Sequence, residues 1–475
     1  MASAKPMSKS KSTQPAKTNR ASQPAGSPAP TVALVSLGCP KNLVDSEKML
    51  GQLAQHGCVV GAEAGEADVI VVNTCGFLAA AREESLEVIR EALKLKAHGK
   101  VRRVIVAGCL AQRDGQKLFK LVPGVDAVVG VNNRDDLASA VLGEGRTIAI
   151  DRYGRAGQDG SNIGDDTGRL RLTPRHTAYL RISEGCGQGC AFCTIPAIRG
   201  PFRSKPIEQV LQEARELVAD GALELNVIGQ DTTSYGRDIG YKAGLAGLLR
   251  QLNRVDGVRW VRLMYAYPSQ LGDDTIAALA ECGRVVKYLD LPLQHIANPI
   301  LSAMRRRVTR HQTEELLERL RRRVPGITLR TTFIVGFPGE TEADFQELLE
   351  FVQNFQFDAA GVFAYSKEPG TLAARLRPTV PNRVKQRRLE GLMLAQQQIA
   401  FTAAAGRVGE SLEVLVDGMD SAGRCVARHA GQAPDVDSLC YLTSRRQAGK
   451  FVIATVAGTE NYDLIVRPAR AGTAK

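Results

Sequence analysis

Two features of membrane and secreted proteins are missing from this sequence of 475 residues. It contains no run of about 18 or more apolar residues, the length that a membrane-spanning helix requires, so we expect no membrane association. Its first residues also lack the apolar core of a signal peptide. A cytoplasmic protein is therefore expected, and its ten cysteines are not predicted to form disulfide bonds.

Acidic residues are absent from the first thirty positions, which are rich in Ser, Pro, Ala and Lys. Such a composition cannot bury a core, so residues 1–30 are predicted to form a disordered basic tail. Its basic residues are Lys5, Lys9, Lys11, Lys17 and Arg20. The whole chain has a net charge of +12, so a mild positive excess remains outside the tail. That excess is compatible with a partner rich in nucleic acid, such as a ribosome.

A group of three cysteines, Cys186, Cys190 and Cys193, has the spacing C-x3-C-x2-C. A structural zinc site would need a fourth Cys or His in a second pair, and the nearest one upstream is His176. The spacing also differs from that of bacterial ferredoxins, which disfavours a simple electron carrier. Since a four-iron cluster takes four ligands, three thiolates would leave one iron open to a substrate or cofactor. The triplet therefore indicates a catalytic iron–sulfur site.

Three short apolar runs in the first third of the chain are each followed by a cysteine. Residues 31–36, 68–73 and 101–107 have the length and β-branched composition of strands, and Cys39, Cys75 and Cys109 come after them. Helical patterns at 46–55 and 82–96 alternate with these strands, which predicts an open parallel α/β domain. Loops after the carboxyl ends of parallel strands meet at one edge of the sheet. We therefore expect a second three-cysteine site, with small buried cysteines as the alternative.

Strand and helix patterns continue to alternate in the central part of the chain and predict a partial TIM-like (βα) barrel. The predicted strands are residues 178–183, 224–228, 261–265, 288–291, 329–335 and 361–365. A helix is expected to start at Pro206, and Thr341 followed by acidic residues resembles a helix cap. Active sites of such barrels lie at the carboxyl ends of the strands, which is where the cysteine triplet and His295 fall. His295 can equally be a structural histidine.

The last part of the chain is predicted to form a small antiparallel β-barrel. Its strand patterns are residues 411–416, 438–442, 450–456 and 462–466, with Gly and Asp turns between them. Residues 404–475 contain nine basic and eight acidic residues. Because RNA binding relies on basic side chains that neutralise phosphates, this near-neutral domain is expected to be a weak RNA clamp, which leaves protein recognition open.

With Phe192 before its last cysteine, the triplet resembles the signature of radical S-adenosylmethionine (SAM) enzymes. The resemblance implies that Cys186, Cys190 and Cys193 hold a [4Fe-4S] cluster whose open iron binds SAM. One electron from the cluster would then cleave SAM to give a carbon radical. The segment 336–340 (GFPGE) is similar to the loop that lies against SAM in that family.

Candidate SAM contacts come from these motifs and from the predicted strand ends. They are Phe192, Gln230, Gln294, Arg330, Gly336 and Gly339. No catalytic residue is predicted beyond the cluster ligands.

A three-cysteine domain, a radical domain and a small β-barrel, in that order, resemble the methylthiotransferases. The segment 36–42 (SLGCPKN) is similar to the branch of that family that modifies a ribosomal protein, as are segments 199–204, 291–295 and 433–437. The resemblance implies that Cys39, Cys75 and Cys109 hold a second [4Fe-4S] cluster. It also implies that SAM is both methyl donor and radical source. The implied product is a methylthio group on the β-carbon of an aspartate in the twelfth small-subunit ribosomal protein, with tRNA as the alternative substrate.

The resemblance has implications for partners and domains as well. An electron donor such as a flavodoxin or ferredoxin would reduce the clusters, and the C-terminal barrel would be a TRAM domain able to contact RNA. A non-catalytic RNA-binding iron–sulfur scaffold is an alternative of another class. The predicted domains are the basic tail (1–30), an N-terminal methylthiotransferase domain (31–141), a linker (142–171), a radical SAM domain (172–403) and a TRAM domain (404–471).

Overall fold

The computed structural model describes residues 29–151 and 163–469. All but the last two residues of the predicted basic tail lie outside the described residues, as do residues 152–162 of the predicted linker and the end of the predicted TRAM domain. Three large sheets, one after another along the chain, form the body of the structure, and a two-stranded sheet accompanies the second. Within the described ranges no helix is long and apolar enough to cross a membrane.

The first sheet has six parallel strands in the order β2-β1-β3-β4-β5-β6. The strands are β1 (Thr31–Ser36), β2 (Val59–Val60), β3 (Val69–Thr74), β4 (Arg103–Gly108), β5 (Ala127–Gly130) and β6 (Thr147–Ala149). The helices are α1 (Pro40–Gln55), α2 (Ala79–Ala97), α3 (Cys109–Asp114), α4 (Leu118–Leu121) and α5 (Leu137–Leu142). Apolar cores lie on both faces of this sheet, and all six residues of β3 are buried. The predicted open parallel α/β arrangement is confirmed.

The second sheet also has six parallel strands, and neighbours in the sheet are neighbours in strand order along the chain. They are β7 (Thr177–Arg181), β10 (Glu224–Ile228), β11 (Trp260–Leu263), β12 (Val285–Asp290), β13 (Thr328–Val335) and β14 (Ala359–Ala364). A short antiparallel pair, β8 (Ser183–Glu184) and β9 (Arg203–Ser204), follows β7. Each of the six predicted strands overlaps one in the structure, and the sheet is the predicted partial barrel.

Helices follow the strands of the second sheet along the chain. They are α6 (Ile195–Arg199), α7 (Ile207–Ala219), α8 (Gly244–Leu252), α9 (Asp273–Glu281), α10 (Asn298–Ala303), α11 (Arg310–Arg323), α12 (Glu342–Phe355) and α13 (Asn382–Gly406). Helix α7 begins directly after Pro206, as predicted. Helix α12 begins after Thr341, whose hydroxyl accepts from the backbone of Asp344 while the Asp344 carboxylate accepts from the backbone of Thr341. This reciprocal pair satisfies donors that an uncapped helix would leave without partners.

The third sheet is a closed five-stranded barrel in the order β15-β16-β17-β19-β18. Its strands are β15 (Ser411–Met419), β16 (Cys425–His429), β17 (Cys440–Leu442), β18 (Phe451–Glu460) and β19 (Asp463–Pro468). Four of its strand pairs are antiparallel, whereas β17 and β19 pair in parallel. The sequence patterns did not predict β16, because it carries the charged residue Arg428 at a fully interior position.

Other elements were missed or misplaced as well, and two of them show why. Helix α1 begins at Pro40 rather than at residue 46, because its first turns bury Asn42, Asp45 and Glu47 instead of apolar side chains. An apolar stripe therefore appears only in the second half of the helix. Strand β6 lies inside the segment read as a linker, and its three residues are exposed or half-buried at the edge of the first sheet.

A buried carboxylate joins the barrel to the second sheet. Glu224, at the start of β10, pairs with Arg262 on β11 at 2.9 Å and with Arg428 on β16 at 2.8 Å. Arg428 also pairs with Asp417 of β15, which accepts a hydrogen bond from His176. The two arginines and the glutamate have almost no exposed side-chain surface, so the pairs lie in a region of low dielectric constant.

Neutralising this carboxylate should weaken the fold. Although burial opposes its ionisation, Arg428 and Arg262 lower the pKa of Glu224 from 4.5 to about 2. The variant Glu224→Gln leaves two buried guanidinium groups short of a counter-charge. We expect it to reduce the free energy of unfolding by about 3–5 kcal/mol, measured by urea denaturation.

The matched control is Glu413→Gln, which removes an exposed ion pair with Arg259. It should cost less than about 1 kcal/mol. Because the folded-state pKa of Glu224 is depressed, its contribution is complete above pH 4.5 and is lost as the pH falls towards about 2. The difference between wild type and Glu224→Gln should therefore narrow over that range. An equal free energy of unfolding for wild type and Glu224→Gln at neutral pH would contradict the role given to Glu224.

Candidate active site

The predicted cysteine triplet lies in the loop between β8 and α6, at the carboxyl end of the first strand of the partial barrel. Cys186, Cys190 and Cys193 are each half-buried. The backbone N–H of Ile195 donates to the Cys193 sulfur at 3.4 Å, and an Arg306 guanidinium nitrogen lies 3.6 Å from the Cys190 sulfur. The loop thus presents three thiols together with donors that can stabilise negative sulfur.

Burial makes two of these three thiols poor acids when no metal is bound. It raises the pKa of Cys186 to about 11 and that of Cys193 to about 12. Thiolates at these positions therefore need a strong positive partner, which a bound metal ion supplies by deprotonating the thiols that ligate it.

The second set of cysteines also gathers at the ends of parallel strands. Cys39 immediately precedes α1, Cys75 follows β3, and Cys109 is the first residue of α3 after β4. Glycines let these loops approach closely: a Cβ atom on Gly38, whose φ is +92°, would lie 3.0 Å from the Cβ of Cys75. A Cβ atom on Gly76 would lie 2.8 Å from the backbone of Cys109.

The three thiols of this second set differ in acidity. Burial raises the pKa of Cys109 to about 12 and also raises that of Cys75. Cys39 is exposed, and although desolvation by its neighbours opposes ionisation, the positive charges of Lys41 and Arg199 outweigh it and hold the pKa of Cys39 below its ordinary value. Cys39 is therefore the thiol of this set that is most readily deprotonated.

Both sets have the chemistry of iron–sulfur cluster ligands rather than of a single-ion site. Over residues 29–151 and 163–469, no three Cys, His, Asp or Glu side chains converge as the ligands of one metal ion. In a [4Fe-4S] cluster each thiolate binds a different iron, so the sulfurs need not point at one centre. Three thiols on glycine-containing loops, with cationic side chains beside them, fit such a cluster at each site.

Arg199 connects the two sets of cysteines. It ends α6, six residues after Cys193, and its Nε donates to the Cys109 sulfur at 3.3 Å. Its other nitrogens pair with Asp45 at 2.9 Å and with Glu184 at 3.0 Å. The Arg199 side chain is 2% exposed. This buried guanidinium therefore contacts Cys109 of the second set and Glu184, which lies two residues before Cys186 of the triplet.

The residues predicted to contact SAM from the sequence motifs lie close to one another. Phe192 packs against a cluster of buried side chains that includes Phe337 and Tyr365. This brings the triplet loop against the segment that holds Gly336 and Gly339. Gly336 has a φ of +71°, and a Cβ atom there would collide with the side chain of Lys385, whereas Gly339 (φ +88°) would meet nothing within 4 Å.

The three polar residues predicted from strand ends have different surroundings. Gln230 donates to Glu184, and its own carbonyl oxygen is buried without a hydrogen-bond partner among the described residues. Gln294 is half-buried in a left-handed backbone conformation with a φ of +75°. Arg330 pairs with Asp290 at 2.8 Å and with Asp437 of the barrel at 3.2 Å, so protein carboxylates already engage its charge. Their predicted contacts with SAM stay predictions.

His295 is fully buried at the end of the segment after β12. Its Nδ1 accepts from the backbone N–H of Ala297, which places the proton on Nε2 in the neutral ring. Burial lowers the pKa of His295 to about 3, so the ring stays neutral at physiological pH. Its Nε2 is 3.8 Å from the Glu340 carboxylate and has no hydrogen-bond partner among the described residues.

Sequence patterns missed the cations around the cysteines. Lys41 and Arg199 lie beside the second set, and Arg306 lies beside the triplet. None of them belongs to an apolar periodicity or a spaced motif. The only signal was that Lys41 and Arg199 fall in segments that resemble the ribosomal-protein branch of the methylthiotransferases.

Loss of the Arg199 guanidinium should destabilise the junction between the two domains. The variant Arg199→Gln leaves Asp45 and Glu184 with fewer counter-charges in a buried site, so we expect a loss of about 3–5 kcal/mol in the free energy of unfolding. Arg199→Lys keeps the charge but cannot reach all partners, and its loss should be smaller. Urea denaturation measures both. The exposed Arg215→Gln is the control and should change little.

Three sequence families match separate parts of the chain. The family described as "Uncharacterized protein family UPF0004" matches residues 31–130. The radical SAM superfamily matches residues 180–352, and the TRAM domain matches residues 408–468. These matches follow the three sheets of the structure in order.

Curated relatives align with nearly the whole chain. A protein named ribosomal protein uS12 methylthiotransferase RimO from Geobacter sulfurreducens is 44% identical over 437 residues, which are 91% of this chain and 97% of that protein. The protein of the same name from Pelotomaculum thermopropionicum is 45% identical over 437 residues, which are 91% of this chain and 98% of that protein.

Among solved structures, the radical S-adenosylmethionine methyltransferase TsrM from Kitasatospora setae has a similar fold. It superimposes with a TM-score of 0.52 at 17% sequence identity, and the match covers 81% of this chain and 77% of that one. At that identity the similarity supports the fold alone.

Proposed function

Since the chain belongs to the family of ribosomal protein uS12 methylthiotransferases, we propose that it attaches a methylthio group to the β-carbon of an aspartate in that ribosomal protein. It is a radical SAM methylthiotransferase, which requires SAM and a [4Fe-4S] cluster. The relatives support a ribosomal protein as substrate over tRNA. One observation carries the finer proposal: Arg199 ends the helix that follows the cysteine triplet, and its guanidinium donates to Cys109 of the second set.

We assign one cluster to each set of three cysteines. Cys186, Cys190 and Cys193 would hold the cluster that binds SAM, and Cys39, Cys75 and Cys109 would hold a second one. When bound, these groups supply hydrogen-atom abstraction from an unactivated carbon and a source of sulfur. The protein's own part is to hold the two loops at a fixed separation and to exclude water from the space between them.

The SAM site is proposed to lie between the triplet and the segment 336–340. Phe192 would pack against the cofactor, and Gly339, which has no neighbour on its side-chain face, would let it approach the backbone. Gln230 is the polar residue best suited to bind it, because its buried carbonyl oxygen has no partner among the described residues. Gln294 and Arg330 are kept as proposed contacts from their positions after β12 and on β13.

An external reductant such as a flavodoxin or ferredoxin is proposed as the electron donor, because the described side chains offer no electron source of their own. Contact with RNA would fall to the barrel, but several of its arginines are already paired with carboxylates. Arg407 pairs with Glu410, and Arg424 pairs with Asp420. Since paired cations neutralise phosphates poorly, the barrel is suited to supporting protein recognition more than to gripping RNA.

Iron content tests the two-cluster assignment. Anaerobically reconstituted wild type should hold about eight irons per chain, and each of Cys186→Ala and Cys75→Ala should hold about four. The buried Cys282→Ala, which lies outside both sets, is the control and should keep about eight. About four irons in the wild type would remove the second site.

The same variants separate the roles of the clusters. Cys186→Ala should abolish reductive cleavage of SAM, because the cofactor's iron is lost. Cys75→Ala should retain some cleavage but should transfer no sulfur to the substrate. Mass spectrometry of the 5′-deoxyadenosine released and of the modified peptide measures the two outcomes. Full sulfur transfer by Cys75→Ala would contradict the role given to the second cluster.

Offering the ribosomal protein and tRNA separately to the reconstituted enzyme tests the substrate. We expect a methylthio group on an aspartate of the ribosomal protein and no modification of tRNA, both read by mass spectrometry. Modification of tRNA alone would overturn the proposal.

A further inference from the structure

Lys41 is a buried lysine without an acidic partner. It is 6% exposed and lies two residues after Cys39 in the first turn of α1. Its Nζ lies 3.1 Å from the centroid of the Tyr265 ring, at the end of β11. Across the described ranges no carboxylate forms an ion pair with it. An aromatic face compensates only part of the cost of burying an ammonium group.

Other buried cations of the protein, unlike Lys41, have carboxylate partners. Arg199 pairs with Asp45 and Glu184, and Lys205 pairs with Asp166 and Glu213, all through buried contacts. A buried charge is normally kept only when it is paired. Since no carboxylate of the described residues pairs with Lys41, its counter-charge has to come from the deprotonated Cys39 or from a bound anion.

The position of Lys41 indicates which kind of ligand can supply this negative charge. Tyr265 is followed two residues later by Tyr267, whose hydroxyl is 3.9 Å from the Cys190 sulfur. Lys41 is thus two residues from Cys39 of one cysteine set, and the ring it contacts is two residues from the tyrosine that touches Cys190 of the other. These short chain links bring a group bound to the ammonium into the neighbourhood of both sets.

We propose that Lys41 binds the side-chain carboxylate of the substrate aspartate and so fixes the β-carbon between the two cysteine loops. This inference rests on the proposed function, whose substrate carries its side-chain carboxylate on the β-carbon that reacts. A charge-assisted hydrogen bond from Lys41 compensates the desolvation of that carboxylate. The Tyr265 hydroxyl, kept protonated because burial raises its pKa, is a second donor beside the ammonium. Lys41 is a substrate-binding residue and takes no part in bond breaking.

A rival role for Lys41 is to stabilise only the Cys39 thiolate, whose pKa it helps to lower. The two roles predict different results in a binding experiment. A cluster-supporting lysine affects iron content and leaves the choice between substrates unchanged. A carboxylate-binding lysine affects the preference for aspartate over its neutral isostere, asparagine.

The experiment compares two fluorescent peptides from the ribosomal protein, one with the target aspartate and one with asparagine in its place. Dissociation constants are measured by anisotropy on the anaerobically reconstituted full chain with SAM and without reductant, so that no turnover occurs. The wild type should bind the aspartate peptide about tenfold or more tightly than the asparagine peptide. Lys41→Met and Lys41→Gln should bind the two peptides equally, whereas Lys41→Arg should keep part of the preference.

The matched control is Lys48→Met on the same helix, whose ammonium group donates to the carbonyl of Thr167. It should keep the full preference for aspartate. Because each ratio of dissociation constants is measured on one preparation, incomplete cluster loading lowers the bound fraction without changing the ratio. Iron and sulfide content is determined for every variant alongside.

Two results would overturn the proposal in distinguishable ways. In the first, Lys41→Met still binds the aspartate peptide more tightly than the asparagine peptide by the wild-type ratio, whatever its iron content. That result would mean that Lys41 serves only the cluster, and it would leave the proposed function intact. Wild-type protein that binds neither peptide but binds tRNA overturns the proposed function, and the role of Lys41 with it.

Discussion

A buried network of charges between the first and second sheets fixes the geometry on which the active site depends. Asp45 of α1 accepts from Arg199 and Arg181, and Asp166 accepts from Arg181 and Arg134. Such pairs add little net stability, because desolvation offsets most of their attraction. Their effect is to fix positions, because each carboxylate has all of its partners only when the two domains are correctly placed relative to each other. The cysteine loops of the two domains are carried on the same elements as this network.

The barrel contributes to the same arrangement from the opposite side. Its segment 433–437 reaches into the partial barrel, where Asp435 accepts from the Tyr179 hydroxyl and Asp437 accepts from the Tyr288 hydroxyl. Apolar side chains of α1, of the central strands and of the barrel form one core there. The three sheets are thus packed around the central strands, and a displacement of the barrel would disturb the residues that hold the cysteine loops.

Sequence patterns predicted the strands well because parallel strands are buried on both faces and read as continuous apolar runs. Because the cysteines follow the predicted strand ends, both cysteine sets could be predicted without knowing any distance between their atoms. The patterns failed wherever a buried surface is polar, as in the first turns of α1 and in β16 with its interior Arg428. Arg199 could not be predicted either, since two of its partners, Cys109 and Asp45, are 90 and 154 residues away in the sequence, and only folding brings them together.

The specificity of the site must come from these buried polar contacts rather than from the fold. TsrM shares the architecture at 17% identity, so the sheets alone do not define a substrate. What distinguishes the space between the cysteine loops is its charge. Lys41 lies on the ring of Tyr265 and Arg306 lies on the ring of Tyr267, and neither forms an ion pair with a carboxylate of residues 29–151 or 163–469. Because cations without a carboxylate partner attract anions, this region favours ligands that carry negative charge.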